Sequence, residues 1–175
     1  MYKNQIKCYV NSMLKNCNVK DYNVYSADEL DFIKPSKIFP TLYVINTEQS
    51  NVKYGHWICM YRASRTECEI FDSFGTSIAY ENNKDSLCKL FTSATKTNNI
   101  VLQSGNSTVC GYYVLHYIFH RVLKKRSFEF ILDCFTRSRI MNDALVSQFY
   151  TAYFSNIVVG DMNCQCATSI NQLKF

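Results

Sequence analysis

Residues 2–16 carry a clear pattern in which apolar side chains recur every three or four positions. This spacing places the apolar side chains on one face of a helix, with polar residues on the other face. The apolar positions are Ile6, Tyr9, Val10, Met13 and Leu14. We therefore predict an amphipathic helix over residues 2–16. A polar, turn-rich passage follows through residues 21–32.

Three short apolar runs in the next part of the chain predict β-strands. Residues 40–46, PTLYVIN, begin with a proline and are typical of a buried strand. Residues 56–62, HWICMYR, predict a second strand, and residues 67–72, ECEIFD, alternate as a third strand would. The short connection RASRT between the last two fits a hairpin. These two strands should therefore be antiparallel neighbours.

The second half of the chain alternates between predicted helices and one predicted strand. Residues 84–95 favour a helix, residues 99–103 a strand, and residues 110–123 a helix that begins near Cys110. A last helix is predicted over residues 137–154, and residues 156–175 give no clear prediction. The inner side of the last helix is expected to carry Ile140, Met141, Leu145, Phe149 and Phe154.

These elements predict an α+β fold, with a small, mostly antiparallel sheet flanked by helices. The length of 175 residues suits one domain, residues 1–175, and 47% hydrophobic residues argue against disorder. No apolar run approaches the roughly 18 residues of a membrane span, and the N-terminus lacks the features of a signal peptide. We expect a soluble, unsecreted protein without membrane contact.

Nine cysteines are an odd number for a chain that is expected to be unsecreted, so a disulfide framework is not expected. No CxxC pair occurs, and the CxC of Cys164 and Cys166 lacks a second pair that would complete a zinc site. His116 and His120 have metal-ligand spacing on one predicted helix, but no third ligand is evident. We favour core or surface histidines, and predict no metal.

The net charge is +5, and the densest basic run is HRVLKKR at residues 120–126. A solvated helix end is the favoured interpretation, because cations also suit the negative end of the helix dipole. Contact with a polyanion such as nucleic acid is the alternative. It would involve Arg121, Lys124, Lys125 and Arg126.

The chemistry of a cysteine protease requires a thiolate, a base beside it, a group that orients the base, and donors for the oxyanion. His56 lies at a strand start, Asp72 lies at a strand end before SFG, and Cys110 lies at a helix start before Gly111. A helix N-terminus lowers a thiol pKa and can bind an oxyanion. Gln103 lies seven residues before Cys110 and could be aimed at the same oxyanion. Each residue alone is more often structural, but their joint order favours function.

The segments GHW, FDSFG and QSGNSTVCG resemble the adenovirus maturation protease family (adenain), with its relatives in virophages and Polinton-like elements. They also resemble the wider clan that includes the SUMO and NEDD8 proteases. The resemblance extends over about residues 3–125. The seven-residue separation between Gln103 and Cys110 is more similar to the adenovirus type.

The resemblance implies a role for each matching residue. Cys110 would be the nucleophile and His56 the general base and later acid. Asp72 would hold the imidazole, and Gln103 would donate to the oxyanion together with the Cys110 backbone N–H. Trp57 and Gly111 would help to shape a narrow substrate groove, and cleavage after small residues, often Gly, is expected.

For the biology, the resemblance implies a monomeric endopeptidase that cleaves viral capsid or core precursor proteins, in the virion and the infected cell. DNA or a peptide could act as an activator, although the stretch before Gln103 carries no cysteine for a disulfide-linked peptide and Cys88 is displaced from it. Two alternatives stay open: a deSUMOylating or deubiquitinating isopeptidase, and an inactive binding module that keeps the fold.

Overall fold

A five-stranded mixed sheet lies at the centre of the computed structural model, which describes residues 1–75, 86, 87, 90 and 94–155. The spatial order of the strands follows the chain. The two central pairs, β2–β3 and β3–β4, are antiparallel, and the two outer pairs, β1–β2 and β4–β5, are parallel. The strands are β1 (Asp21–Tyr25), β2 (Thr41–Asn46), β3 (Trp57–Arg62), β4 (Glu67–Phe71) and β5 (Ala94–Thr97).

Strands β2 and β3 are buried along their whole length because both faces of the sheet are covered. Successive side chains on a strand point to opposite faces. Accordingly, Leu42 and Val44 belong to the larger core, whereas Tyr43 and Ile45 belong to a smaller cluster on the other face. These continuous apolar runs are typical of a sheet between two layers.

The helices of the described residues include two long elements that frame the larger core. They are α1 (Lys3–Leu14), a 3-10 helix (Ala27–Phe32), α2 (Cys110–Ile118) with a π-helical continuation (Phe119–Leu123), α3 (Phe128–Asp133) and α4 (Arg139–Phe154). Helix α2 packs against β3, α1 and α4. Among the described residues, no helix combines the length and the hydrophobicity that a bilayer crossing requires.

The α+β class predicted from the sequence is confirmed, and several elements lie within a residue or two of their predicted bounds. The amphipathic helix appears as α1, and its five predicted apolar positions are buried. The three predicted strands appear as β2, β3 and β4, with the expected hairpin between the last two. The helix predicted from Cys110 to about Leu123 and the helix predicted over residues 137–154 are also present.

Other predictions require correction. The passage predicted as turns contains β1, which pairs in parallel with β2. Two of the four strand pairs are parallel, so the sheet is mixed, whereas a mostly antiparallel sheet was predicted. The strand predicted at residues 99–103 is absent; β5 lies at Ala94–Thr97 instead. Of the predicted helix over residues 84–95, the last two residues belong to β5 and most others lie outside the described residues.

Two predictions about individual side chains were wrong. Ile140 and Met141 are not on the inner side of α4, because they are 77% and 61% exposed. Cys8 is disulfide-bonded, although the odd number of cysteines argued against a disulfide framework. Cys88, Cys164 and Cys166 lie outside the described residues. The described cysteines with free thiols are Cys17, Cys59, Cys68, Cys110 and Cys134.

Candidate active site

The hairpin of β3 and β4 brings His56 and Asp72 together at one edge of the sheet. His56 immediately precedes β3 and Asp72 immediately follows β4. Because the two strands are antiparallel neighbours, the start of one lies beside the end of the other. The His56 Nε2 atom lies 2.6 Å from Asp72 Oδ1, and the carboxylate is almost completely buried. This short contact is typical of a hydrogen bond to a charged group.

The turn after β4 holds the Asp72 carboxylate in place. The Phe74 N–H donates to Asp72 Oδ1 at 2.8 Å, and the Gly75 N–H donates to the Asp72 carbonyl at 2.9 Å. Gly75 adopts a φ of +73°, which is left-handed backbone that glycine takes without steric cost. The Phe74 ring packs on the His56 ring with centroids 4.7 Å apart. One short turn therefore restrains both the carboxylate and the imidazole.

Asn98 supports this turn from the far side. Its Oδ1 accepts a hydrogen bond from the Asp72 N–H at 2.9 Å, and its Nδ2 donates to the Asp72 carbonyl. Both residues are buried. Sequence reasoning did not find Asn98, because it lies 26 residues from Asp72 and carries no local signal of the pairing.

Cys110 is the first residue of α2, and its side chain is largely buried. The Sγ atom lies 3.9 Å from the Gly55 carbonyl oxygen. Burial by itself raises the pKa of the Cys110 thiol. The hydrogen bond and charge of His56, together with the Trp57 backbone N–H, outweigh burial and lower that pKa below its ordinary value. At neutral pH, the ionised fraction of Cys110 is therefore larger than that of an ordinary cysteine.

The His56 imidazole responds in the opposite direction. Burial lowers its pKa, but the hydrogen bonds and charges of Asp72 and Cys110 outweigh burial and raise the pKa to about 9. Its Nε2 is engaged by Asp72, so the interaction with Cys110 falls to the buried Nδ1, which has no other hydrogen-bond partner. Nδ1 is therefore the nitrogen left to exchange a proton with the thiol. Together the two shifts favour a thiolate–imidazolium pair.

Gln103 is fully buried, and it lines a cavity that His56 and Cys110 also line. Its Oε1 accepts a hydrogen bond from the Ser73 hydroxyl at 2.7 Å. Its Nε2 donates to the Ser107 carbonyl at 2.8 Å and to Ser107 Oγ at 3.3 Å. The side-chain amide is thus held in one orientation. An oxygen bound in the cavity would compete with Ser107 Oγ for one amide hydrogen of Gln103.

A cavity of about 350 Å³ unites these groups, since His56, Gln103 and Cys110 all line it. Tyr54 and Glu48 also line it. A buried thiol beside an imidazole, with an amide donor nearby, can perform nucleophilic attack on a carbonyl group. The described residues contain no group of three or more metal-ligating side chains that could hold a metal ion.

Trp57 and Gly111 are not among the residues that line this cavity, although the resemblance implied a role for them in the groove. Trp57 is fully buried, and its indole N–H donates to the Met1 carbonyl at 3.1 Å. A Cβ atom at Gly111 would lie 3.1 Å from Met1 Sδ. Met1 therefore packs against both residues, and Met1 lines the cavity in their place. No local pattern predicts this position of Met1.

The basic run lies away from the cavity and is partly engaged within the fold. Arg121 donates to both carboxylate oxygens of Glu69, at 2.8 and 2.9 Å. Its guanidinium is therefore committed to an internal ion pair, whereas Lys125 and Arg126 are exposed. Lys124 lies over the Phe119 ring. Any contact of this run with a polyanion rests on the last three cations.

His116 and His120 lie next to each other, with ring centroids 4.4 Å apart. His116 is buried against Phe135 and Phe149. Burial, with a smaller contribution from His120, lowers the pKa of His116 to about 3. Neither histidine lines the candidate cavity. The pair is consistent with a neutral core cluster.

Comparisons with known proteins found no matching family model and no matching curated protein. Two solved structures are similar to parts of this chain. One is the central domain of an uncharacterized protein from Legionella pneumophila, with 14% identity, 87% of this chain and 96% of that chain covered, and a TM-score of 0.49. The other is a protease of ASFV, with 26% identity over 63% of this chain and a TM-score of 0.38; the chain spans 42% of that protease.

Proposed function

We propose that this chain is a cysteine endopeptidase of the adenain-like type. The observation that supports the proposal best is the convergence of three side chains, those of His56, Gln103 and Cys110, on one cavity, with Asp72 hydrogen-bonded to His56. The Cys110 thiol has a lowered pKa beside an imidazole whose pKa is raised to about 9, and Asp72 and Gln103 complete the set. Strongly shifted pKa values in a cavity, with identified partners, are typical of catalytic centres.

In the proposed reaction, the Cys110 thiolate attacks the carbonyl carbon of the scissile peptide bond, and the thiol proton resides on His56. The resulting oxyanion accepts hydrogen bonds from Gln103 Nε2 and from backbone N–H groups at the start of α2, which lack acceptors within the helix. When the C–N bond breaks, His56 gives its proton to the leaving amine. The products of this first stage are an acyl-enzyme and a free amine.

The second stage regenerates the enzyme. His56, now neutral, takes a proton from a water molecule as that water attacks the thioester carbonyl. Collapse of the second tetrahedral intermediate breaks the C–S bond, releases the carboxylic acid and returns the thiolate–imidazolium pair. Asp72 stabilises the imidazolium each time it forms and keeps Nδ1 directed to the thiol side.

The proposed biological role is the cleavage of viral capsid or core precursors, after small residues such as Gly, in the virion and the infected cell. This part is supported by the resemblance of GHW, FDSFG and QSGNSTVCG to the adenain family. A DNA or peptide activator is a further part of the proposal. For DNA, the exposed cations Lys125 and Arg126 offer the contact that the charge pattern suggests.

The test compares wild type with Cys110→Ala and, as a matched control, Cys134→Ala. Cys134 is a free, partly exposed thiol at the end of α3, outside the cavity. Each protein is incubated with a proteome-derived peptide library, and new N-termini are identified by mass spectrometry. Labelling with a peptide vinyl sulfone is measured in parallel. We expect cleavage and Cys110 labelling in wild type and Cys134→Ala, and neither in Cys110→Ala.

Two results would contradict the proposal: cleavage by Cys110→Ala close to the wild-type rate, or labelling of Cys110 no faster than that of Cys134. The same proteins are also incubated with SUMO and ubiquitin carrying a C-terminal fluorophore. Efficient turnover of these substrates without cleavage of the library would favour the isopeptidase alternative.

A further inference from the structure

Ser73 lies behind the candidate site and does not line its cavity. It is buried in the turn between Asp72 and Phe74. Its hydroxyl donates to Gln103 Oε1 at 2.7 Å. Its carbonyl oxygen accepts from the backbone N–H groups of Leu102 and Gln103, at 2.8 and 2.9 Å. One residue thus makes hydrogen bonds to both the backbone and the side chain of Gln103.

The bond to the side chain matters because a primary amide has two ends of nearly equal size and opposite hydrogen-bonding character. The Ser107 carbonyl can only accept, so the end of Gln103 that faces it must be the NH2 group. The other end is then the oxygen, which needs a donor because it is buried. The Ser73 hydroxyl is the donor that the structure provides.

Removal of that hydroxyl would leave the buried Oε1 of Gln103 without this donor. A buried acceptor without a partner is unfavourable, so the amide would rotate towards another donor or admit water. Either movement turns Nε2 away from its present direction. The backbone hydrogen bonds to the Ser73 carbonyl would persist, because they do not involve the side chain.

We propose that Ser73 is a positioning residue for oxyanion stabilisation, because its hydroxyl fixes the Gln103 amide with the NH2 group on the side of Ser107, which lines the cavity. This inference rests on the proposed protease function. It also couples two parts of the site, since Ser73 directly follows Asp72. The turn that restrains the acid therefore also orients the oxyanion donor.

The test uses Ser73→Ala, Gln103→Ala and the double variant. A peptide cleaved by the wild type serves as substrate for kcat and KM. Binding of an aldehyde form of that peptide is also measured, because its hemithioacetal with Cys110 carries an oxygen at the oxyanion position. Alkylation of Cys110 by iodoacetamide is the contrasting measurement, because it requires the thiolate and no oxyanion donor.

We expect Ser73→Ala to lower kcat by roughly 10-fold, less than the roughly 10²- to 10³-fold typical of a lost oxyanion donor. KM and the alkylation rate should stay close to wild type, and aldehyde binding should weaken by about the same factor as kcat. In the Gln103→Ala background, Ser73→Ala should cause no further loss. Ser73→Cys, which keeps the size and offers a weaker donor, should fall between Ser73→Ala and wild type.

The inference is overturned if Ser73→Ala reduces kcat as strongly in the Gln103→Ala background as in wild type, or if it leaves kcat unchanged. A fall in the alkylation rate that matches the fall in kcat would also overturn it and indicate a general structural role. If Ser73→Ala does not fold, Ser73→Cys carries the same comparison. Cleavage by Cys110→Ala, in contrast, would refute the protease proposal itself.

Discussion

Replacement of Asp72 by asparagine removes the negative charge beside His56 while it preserves the size of the side chain. The hydrogen bond between the Phe74 N–H and Asp72 Oδ1 can persist, because asparagine keeps one acceptor oxygen. The change therefore tests the electrostatic contribution of the carboxylate more than its support of the turn.

The pKa of His56 sets the scale of the expected effect. Although burial lowers it, Asp72 and Cys110 raise it from an ordinary value of 6.5 to about 9. At about 1.4 kcal/mol per pKa unit, this rise corresponds to roughly 3 kcal/mol in favour of the imidazolium. An opposite charge at hydrogen-bonding distance typically contributes about 1 to 3 pKa units. Asp72→Asn should lower the His56 pKa by an amount in that range.

The consequence for Cys110 has the opposite sign. The His56 cation helps to lower the thiol pKa, so a loss of that cation raises the thiol pKa towards its ordinary range. The pH at which Cys110 reaches half of its maximal alkylation rate should therefore rise by about one unit or more. Peptide cleavage at pH 7 should fall by about 10- to 100-fold, since each pKa unit corresponds to about a tenfold change in population.

The assay is the rate of Cys110 alkylation by iodoacetamide between pH 5 and 10, with the modified residue identified by mass spectrometry. Glu129→Gln is the matched control, because it makes the same acid-to-amide change at an exposed position that pairs with Lys96 outside the cavity. A midpoint for Asp72→Asn that stays with the wild type, or moves to lower pH, would refute the electrostatic role of Asp72.

Two further predictions concern stability. A Cβ atom at Gly55 would lie 2.0 Å from Asn46 Oδ1, so Gly55→Ala should destabilise the fold by about 1 to 3 kcal/mol. Gly105→Ala is the control. A Cβ atom there would have no atom within 4 Å, so the melting temperature should not change. Equal melting temperatures for the two variants would contradict this packing. Burial and the neighbouring His120 lower the pKa of His116 to about 3 in the folded protein. Below about pH 6.5, the unfolded chain therefore binds more protons at His116 than the folded protein does. The free energy of unfolding should fall as the pH falls from 6.5 to 3. His116→Leu should flatten this part of the curve of melting temperature against pH, and an unchanged slope would show that other groups cause it.

The parts of the fold predicted from the sequence are those whose signal is local. Helix α1 was recognisable from its five apolar positions, and β3 and β4 from their apolar runs and short connection. The hairpin also explains why His56 and Asp72 could be paired from the sequence. A residue before one strand and a residue after its antiparallel neighbour must lie at the same edge.

The outer strands could not be predicted because their signal is weak and their partners are distant. β1 has one buried residue, Val24, and β5 is the polar segment ATKT. Each joins the sheet by parallel pairing with a strand many residues away, which leaves no turn signal in the sequence. For residues 99–103 the error was the opposite one, because a strand was predicted where the structure has none. Their apolar character suggested a strand, yet Leu102 and Gln103 hydrogen-bond to the Ser73 carbonyl in a loop.

The sequence by itself determined the order and local setting of the reactive groups: a histidine before a strand, an acid after its neighbour, and a cysteine at a helix start. Short-range periodicity and turn chemistry carry that information. Only the tertiary structure decided how these groups are held. Ser73 meets Gln103 across 30 residues, Asn98 meets Asp72 across 26, and Met1 meets Trp57 across 56. Such contacts depend on how the sheet, the loops and α2 pack together, and no local pattern in the chain encodes them.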